Sequence, residues 1–76
     1  MIGFNEAQIE ILRYLFRSGR TALKDVAIVL GMPTETMDRH LNLLEDAGLV
    51  QPVAIDVTLY RLTGQGRAYI VKQGLE

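Results

Sequence analysis

The chain contains no cysteine, which excludes disulfides, thiolate nucleophiles and cysteine-ligated zinc or iron–sulfur sites. Its single histidine, His40, has no second histidine with which to share a metal, and no serine stands at a recognisable nucleophile spacing. P-loop, dinucleotide-fingerprint and paired-carboxylate motifs are missing too, so neither catalysis nor a bound metal or cofactor is expected. No apolar run approaches the ~20 residues needed to span a bilayer, and the N-terminus lacks the basic region and long apolar stretch of a signal peptide. The expected location is the cytoplasm. An excess of positive charge is also missing. Eight Lys and Arg stand against nine Asp and Glu, for a net charge of −1 and a pI near 5.7. Any phosphate-binding surface must therefore be local.

What is present is the composition of a folded domain. Apolar residues make up 49% of the chain and charged residues 22%, without the low hydrophobicity or high net charge that marks disorder. The 76 residues make one domain, 1–76, of a size that buries only about 60% of the surface its unfolded chain exposes, so a partner or second subunit would add stability.

The first helix announces its own start. Asn5 followed by Gln8 makes an approximate capping box, and Phe4 and Ile9 occupy the staple positions around it. This helix is expected over Glu6 to Arg17. Glu6, Glu10, Arg13 and Arg17 gather into one narrow polar stripe, while Ile9, Ile11, Leu12, Tyr14, Leu15 and Phe16 cover most of the remaining circumference. Such a helix packs on two sides, against its own domain or partly against a second copy. Ser18-Gly19-Arg20 breaks it, and Thr21 is placed to cap a second helix of about ten residues with Leu23, Val26, Ala27 and Leu30 at helical spacing.

Gly31 ends the second helix, and Pro33 falls in the first turn of a third that runs to about Ala47. Met37, Leu41 and Leu44 form its core face and Gly48 its stop. "LVQPVA" and "VTLYRLT", either side of Ile55-Asp56, are rich in β-formers and predict a hairpin whose first strand, carrying Pro52, lies at an edge or bulge. Thr63 can cap a last helix of about ten residues, ended by Gly74. The expected fold is mostly α with a small β-hairpin.

Within that order, "LGMPTETMDRHLNLLEDAGLV" (Leu30 to Val50) resembles the helix-turn-helix of ArsR-type and MarR-type winged-helix transcription regulators. "YRLTGQGR" (Tyr60 to Arg67) is similar to their second wing strand and the start of the following helix. The resemblance covers nearly the whole chain. It implies a winged helix-turn-helix, with a three-helix core, a wing hairpin and a C-terminal helix. It further implies binding of double-stranded DNA through the third helix, as a homodimer joined by helix 1 and the C-terminal helix. Thr34, Glu35, Thr36, Asp38, Arg39 and Asn42 would face the major groove, and the tip, roughly Ala54 to Val57, would approach the minor groove or the backbone.

The residue types suit the role. Arg39 matches guanine O6 and N7, Asn42 matches adenine, and the Thr34 and Thr36 hydroxyls suit phosphate. Arg17, Arg20 and Lys24 around the first helix junction, with Arg61 and Arg67 later, could hold phosphates or form a plain solvated face. Arg39 could equally pair with Glu35 as a surface ion pair. Two departures point elsewhere. Asp38 stands where the family commonly has a small hydroxyl residue, and residues 34–50 carry Arg39 against Glu35, Asp38, Glu45 and Asp46. The tip Ala54-Ile55-Asp56-Val57 is apolar where DNA-binding wings are basic, as suits either a contact with protein or a wing folded back on the third helix. A protein-interaction module, binding a partner through the wing, is therefore a second reading. His40 borders the apolar face, and a structural role is expected for it.

Overall fold

The computed structural model describes residues 3–53 and 59–76. The order is α1 (Glu6–Ser18), β1 (Thr21–Ala22), α2 (Leu23–Leu30), α3 (Thr34–Asp46), β2 (Val50–Pro52), β3 (Leu59–Leu62) and α4 (Gly64–Gln73). The expected wing tip, Ala54 to Val57, lies outside the described residues.

The capping box forms as its sequence dictates. Asn5 Oδ1 accepts from the Gln8 N–H at 2.8 Å, and Gln8 Oε1 accepts from the Asn5 N–H at 3.0 Å. From there α1 runs through the middle of the molecule, with Ile11, Leu12 and Leu15 buried. It packs on α2, α3, β3 and α4. The domain itself thus covers much of the wide apolar surface of α1. Phe4, just ahead of it, meets Tyr69 of α4 edge to face at 5.5 Å, and the Arg67 guanidinium lies 5.9 Å from the centre of the Phe16 ring.

The entry to α2 departs from expectation. Thr21 does not cap the helix; Ala22 occupies that position without a side-chain bond, and α2 has eight residues. The reason is a strand that the pattern of side chains does not reveal. Thr21 and Ala22 pair antiparallel with Tyr60 and Leu59, and the Thr21 hydroxyl donates to Gly19 O at 3.2 Å. The turn into α3 follows the sequence closely. Gly31 adopts φ 67°, and the Met32 N–H reaches back to Ala27 O at 2.8 Å, closing the helix with a left-handed residue that favours glycine. Pro33 stands as the N-cap of α3, one residue before the first turn, with φ −60° and ψ 147°.

The sheet has the order β1-β3-β2. Pro52, paired opposite Tyr60, therefore lies on an edge strand, where a missing N–H is tolerated. Tyr60 and Leu62 point into the core from β3. They meet Met37, Leu41 and Leu44 of α3, Val26 and Ala27 of α2, and Ile70 of α4 in one cluster.

One residue ties the exit of α3 to the start of α4. The Thr63 hydroxyl donates to Gly48 O at 2.6 Å and accepts from the Gly66 N–H at 2.9 Å, and the Thr63 N–H donates to Leu49 O at 3.0 Å. Thr63→Ala removes both the cap and the bond to Gly48, and is expected to cost about 1–2 kcal/mol. Thr63→Ser should keep most of that stability, and denaturant titration of the two variants checks the difference.

Candidate nucleic-acid interface

The anchoring of α3 decides what it presents. Met37, Leu41 and Leu44 are fully buried, and at 100° per residue this sends the opposite side of the helix to solvent. Thr34, Glu35, Thr36, Asp38, Arg39, Asn42, Glu45 and Asp46 are all exposed. Thr34, Thr36, Arg39 and Asn42 are thus brought onto one accessible helix, as the third-helix reading requires. At its N-terminus no side chain caps α3, so its first backbone N–H groups remain open to an anion or to water.

One flank of α3 is held by a side-chain contact: Gln8 Nε2 of α1 lies 3.3 Å from His40 Nδ1. Because Gln8 Oε1 is occupied by the Asn5 N–H, its amide nitrogen donates and the His40 ring accepts. The sole histidine thus tethers α3 to the central helix. On the sheet side, Asp38 and Glu45 act on Tyr60. Burial first, then the charges of Asp38 and Glu45, push the Tyr60 hydroxyl above its ordinary value of 10.0.

This shift has a defined sign. The folded state favours the neutral phenol, so its contribution to stability is fully present below about pH 10 and is lost as pH rises through the higher folded value. Stability measured from pH 9 upward should therefore fall beyond the unfolded value, and Tyr60→Phe should flatten that part of the profile.

The charged side chains sort into those that are free and those that are engaged. Among the described residues the one ion pair within 4.0 Å joins Arg13 to Glu10, at 3.6 Å. Arg39 consequently makes no such pair with Glu35, and its guanidinium is in no ion pair among the described residues. Arg17, Arg20 and Lys24 are exposed, at the end of α1, in the link to β1 and in the first turn of α2. Arg61 is placed differently. With the Gln51 amide turned so that its oxygen faces the neighbouring strand, that oxygen accepts from Arg61 Nε at 2.8 Å and Nη2 at 2.7 Å. Alternation along β3 puts this side chain on the sheet face opposite to Tyr60 and Leu62, so it is not gathered with the exposed face of α3. On that helix Asn42 Nδ2 donates to Asp38 Oδ2 at 3.4 Å. This pair is readable as an i, i+4 spacing once α3 is assigned.

Comparison with known proteins places this arrangement. The family model described as sugar-specific transcriptional regulator TrmB matches residues 1–64. No curated protein matches. Among solved structures, a probable transcriptional regulator from Pseudomonas aeruginosa superposes with a TM-score of 0.89 at 22% identity, covering 96% of this chain and 58% of the other. A MarR family transcriptional regulator from Silicibacter pomeroyi gives 0.85 at 26% identity, covering 96% and 52%. The Zalpha domain of PKZ from Carassius auratus, solved in complex with Z-DNA, gives 0.73 at 21% identity, covering 76% and 94%. The winged helix-turn-helix is thus shared, and this chain spans little more than half the length of the two regulators.

Proposed function

Since the chain belongs to the TrmB family of transcriptional regulators, we propose that it binds duplex DNA through α3 and acts by binding rather than catalysis. The observation that carries this reading is Arg39. It stands on the face of α3 directly away from Met37, Leu41 and Leu44, exposed and without an ion pair among the described residues. Seated in a major groove, it would take guanine O6 and N7, with Asn42 one turn on at an adenine. Thr34 and Thr36, at the uncapped end of α3, would meet phosphate. Arg20 and Lys24 would hold the flanking backbone, and Arg61, from the outer sheet face, would reach phosphate only by leaving Gln51. The Zalpha domain, solved with Z-DNA, supports nucleic acid as a ligand class for the fold.

The working form in this reading is a cytoplasmic homodimer. Helix α1 and the C-terminal α4, where Val71 is exposed, supply the interface. No helix among the described residues is long and apolar enough to cross a membrane.

Fluorescence titration of labelled duplex at low salt tests the proposal. Binding should weaken steeply as salt is raised, because each phosphate contact releases counterions. The exposed carboxylates of α3 favour a second reading, a protein-binding module. Absence of any duplex binding, together with a stable protein complex disrupted by Asp38→Lys, would establish that reading instead.

A further inference from the structure

One contact on the exposed face of α3 is not used by the DNA reading as it stands. Asn42 Nδ2 donates to Asp38 Oδ2 across a single turn. Arg39 makes no ion pair with the Asp38 carboxylate, whose side-chain partner among the described residues is Asn42. A carboxylate facing a groove repels phosphate, so it lowers affinity for every sequence alike. Its presence calls for a compensating effect on choice of sequence.

That effect follows from the chemistry of an amide. An exposed Asn side chain turns readily by half a revolution, which exchanges its oxygen and nitrogen and with them the acceptor and donor shown to a base. Unrestrained, such a side chain accepts from cytosine or adenine in one state and donates to thymine or guanine in the other. Asp38 removes this symmetry. An ionised carboxylate only accepts, so nitrogen toward Asp38 is favourable and oxygen toward it sets two acceptors together. With one Nδ2–H engaged, the other N–H and Oδ1 remain as an edge that complements N7 and the N6 amine of adenine. The same charge disfavours thymine O4 and guanine O6, which are acceptors.

Resting on the DNA reading above, we propose that Asp38 is a positioning residue that fixes the Asn42 amide, so that α3 reads adenine at the step beneath it. Asp38 lowers overall affinity and sharpens selectivity.

Selection from a pool of randomised duplexes, followed by sequencing, tests this with the wild-type chain, Asn42→Ala, Asp38→Ala and Asp38→Asn. Both substituted positions, Asp38 and Asn42, are exposed, and circular dichroism verifies that each of the three variants is folded. The wild type should enrich adenine about tenfold at one position, and Asn42→Ala should abolish that preference. Asp38→Ala should bind the pool more tightly while its preference there falls to about threefold or less. Asp38→Asn keeps an acceptor oxygen without the charge, and should gain affinity while retaining more of the preference. A purely structural role for Asp38 would not produce this opposition of affinity and selectivity. Full wild-type preference in Asp38→Ala, or the absence of any adenine position that depends on Asn42, overturns the proposal and leaves DNA binding intact. If the wild type retains no duplex, the DNA reading falls and this inference with it.

Discussion

Gly66→Ala is expected to destabilise the domain by about 3 kcal/mol or more, at the upper end of what an added methylene costs in a packed interior. A Cβ there would collide with the Leu49 carbonyl oxygen and lie 3.2 Å from Leu62 Cδ2. The obstacle is backbone, so no rotamer change relieves it. Nor can Leu49 retreat freely, because its carbonyl accepts the Thr63 N–H and its own N–H closes the end of α3 on Leu44 O at 3.0 Å. Movement there shifts the exit of α3 and the start of the wing together. For a domain of this size the loss corresponds to a fall in Tm of about 10 °C or more. Gly64 provides the control: a Cβ at that position meets nothing within 4 Å. Gly64→Ala should be neutral or slightly stabilising, since alanine is the better helix former. Thermal unfolding of the pair checks both expectations, and equal Tm values would contradict the packing described for α4.

Arg39→Ala is expected to weaken binding to a selected duplex by about tenfold or more, the cost of one bidentate base contact, and to relax preference at a single guanine. Because the lost contact goes to a base, the salt dependence should change little. Lys24→Ala should behave in the opposite way, weakening all sequences evenly and reducing the salt slope by about one. Side-by-side titrations at several salt concentrations distinguish the two kinds of contact. A uniform loss from Arg39→Ala would make it a phosphate contact instead.

The elements legible in the sequence were those specified by neighbouring residues. The Asn5–Gln8 box, the left-handed Gly31, the Thr63 cap and the terminal Gly74 each depend on residues within a turn of one another, and each is found where expected. The Met37, Leu41 and Leu44 stripe likewise fixed which side of α3 faces outward. Strand β1 was not legible, because Thr21 and Ala22 become a strand only by pairing with Tyr60 and Leu59, nearly forty residues away in the chain. The same pairing explains why Thr21, a good N-cap by type, does not serve as one.

The candidate site divides in the same way. Exposure of Arg39 and Asn42 followed from helix periodicity, with Thr36 at the flank, and that of Thr34 from the family resemblance, whereas engagement of Arg61 depends on the register that sets it opposite Gln51. The link between Gln8 and His40 also needed the tertiary fold, since thirty-two positions separate them in the chain. A histidine at the border of an apolar face signals a structural role without naming its partner.

The central claim is that the exposed face of α3 meets DNA, and mapping of backbone amide shifts by NMR during addition of a duplex tests it most directly. The predicted result is a continuous set of perturbed amides from Thr34 to Asn42, joined by Arg20 and Lys24, with the helix face bearing Val71 unaffected. Perturbations confined to α1 and α4, or none across α3 at saturating duplex, would contradict it.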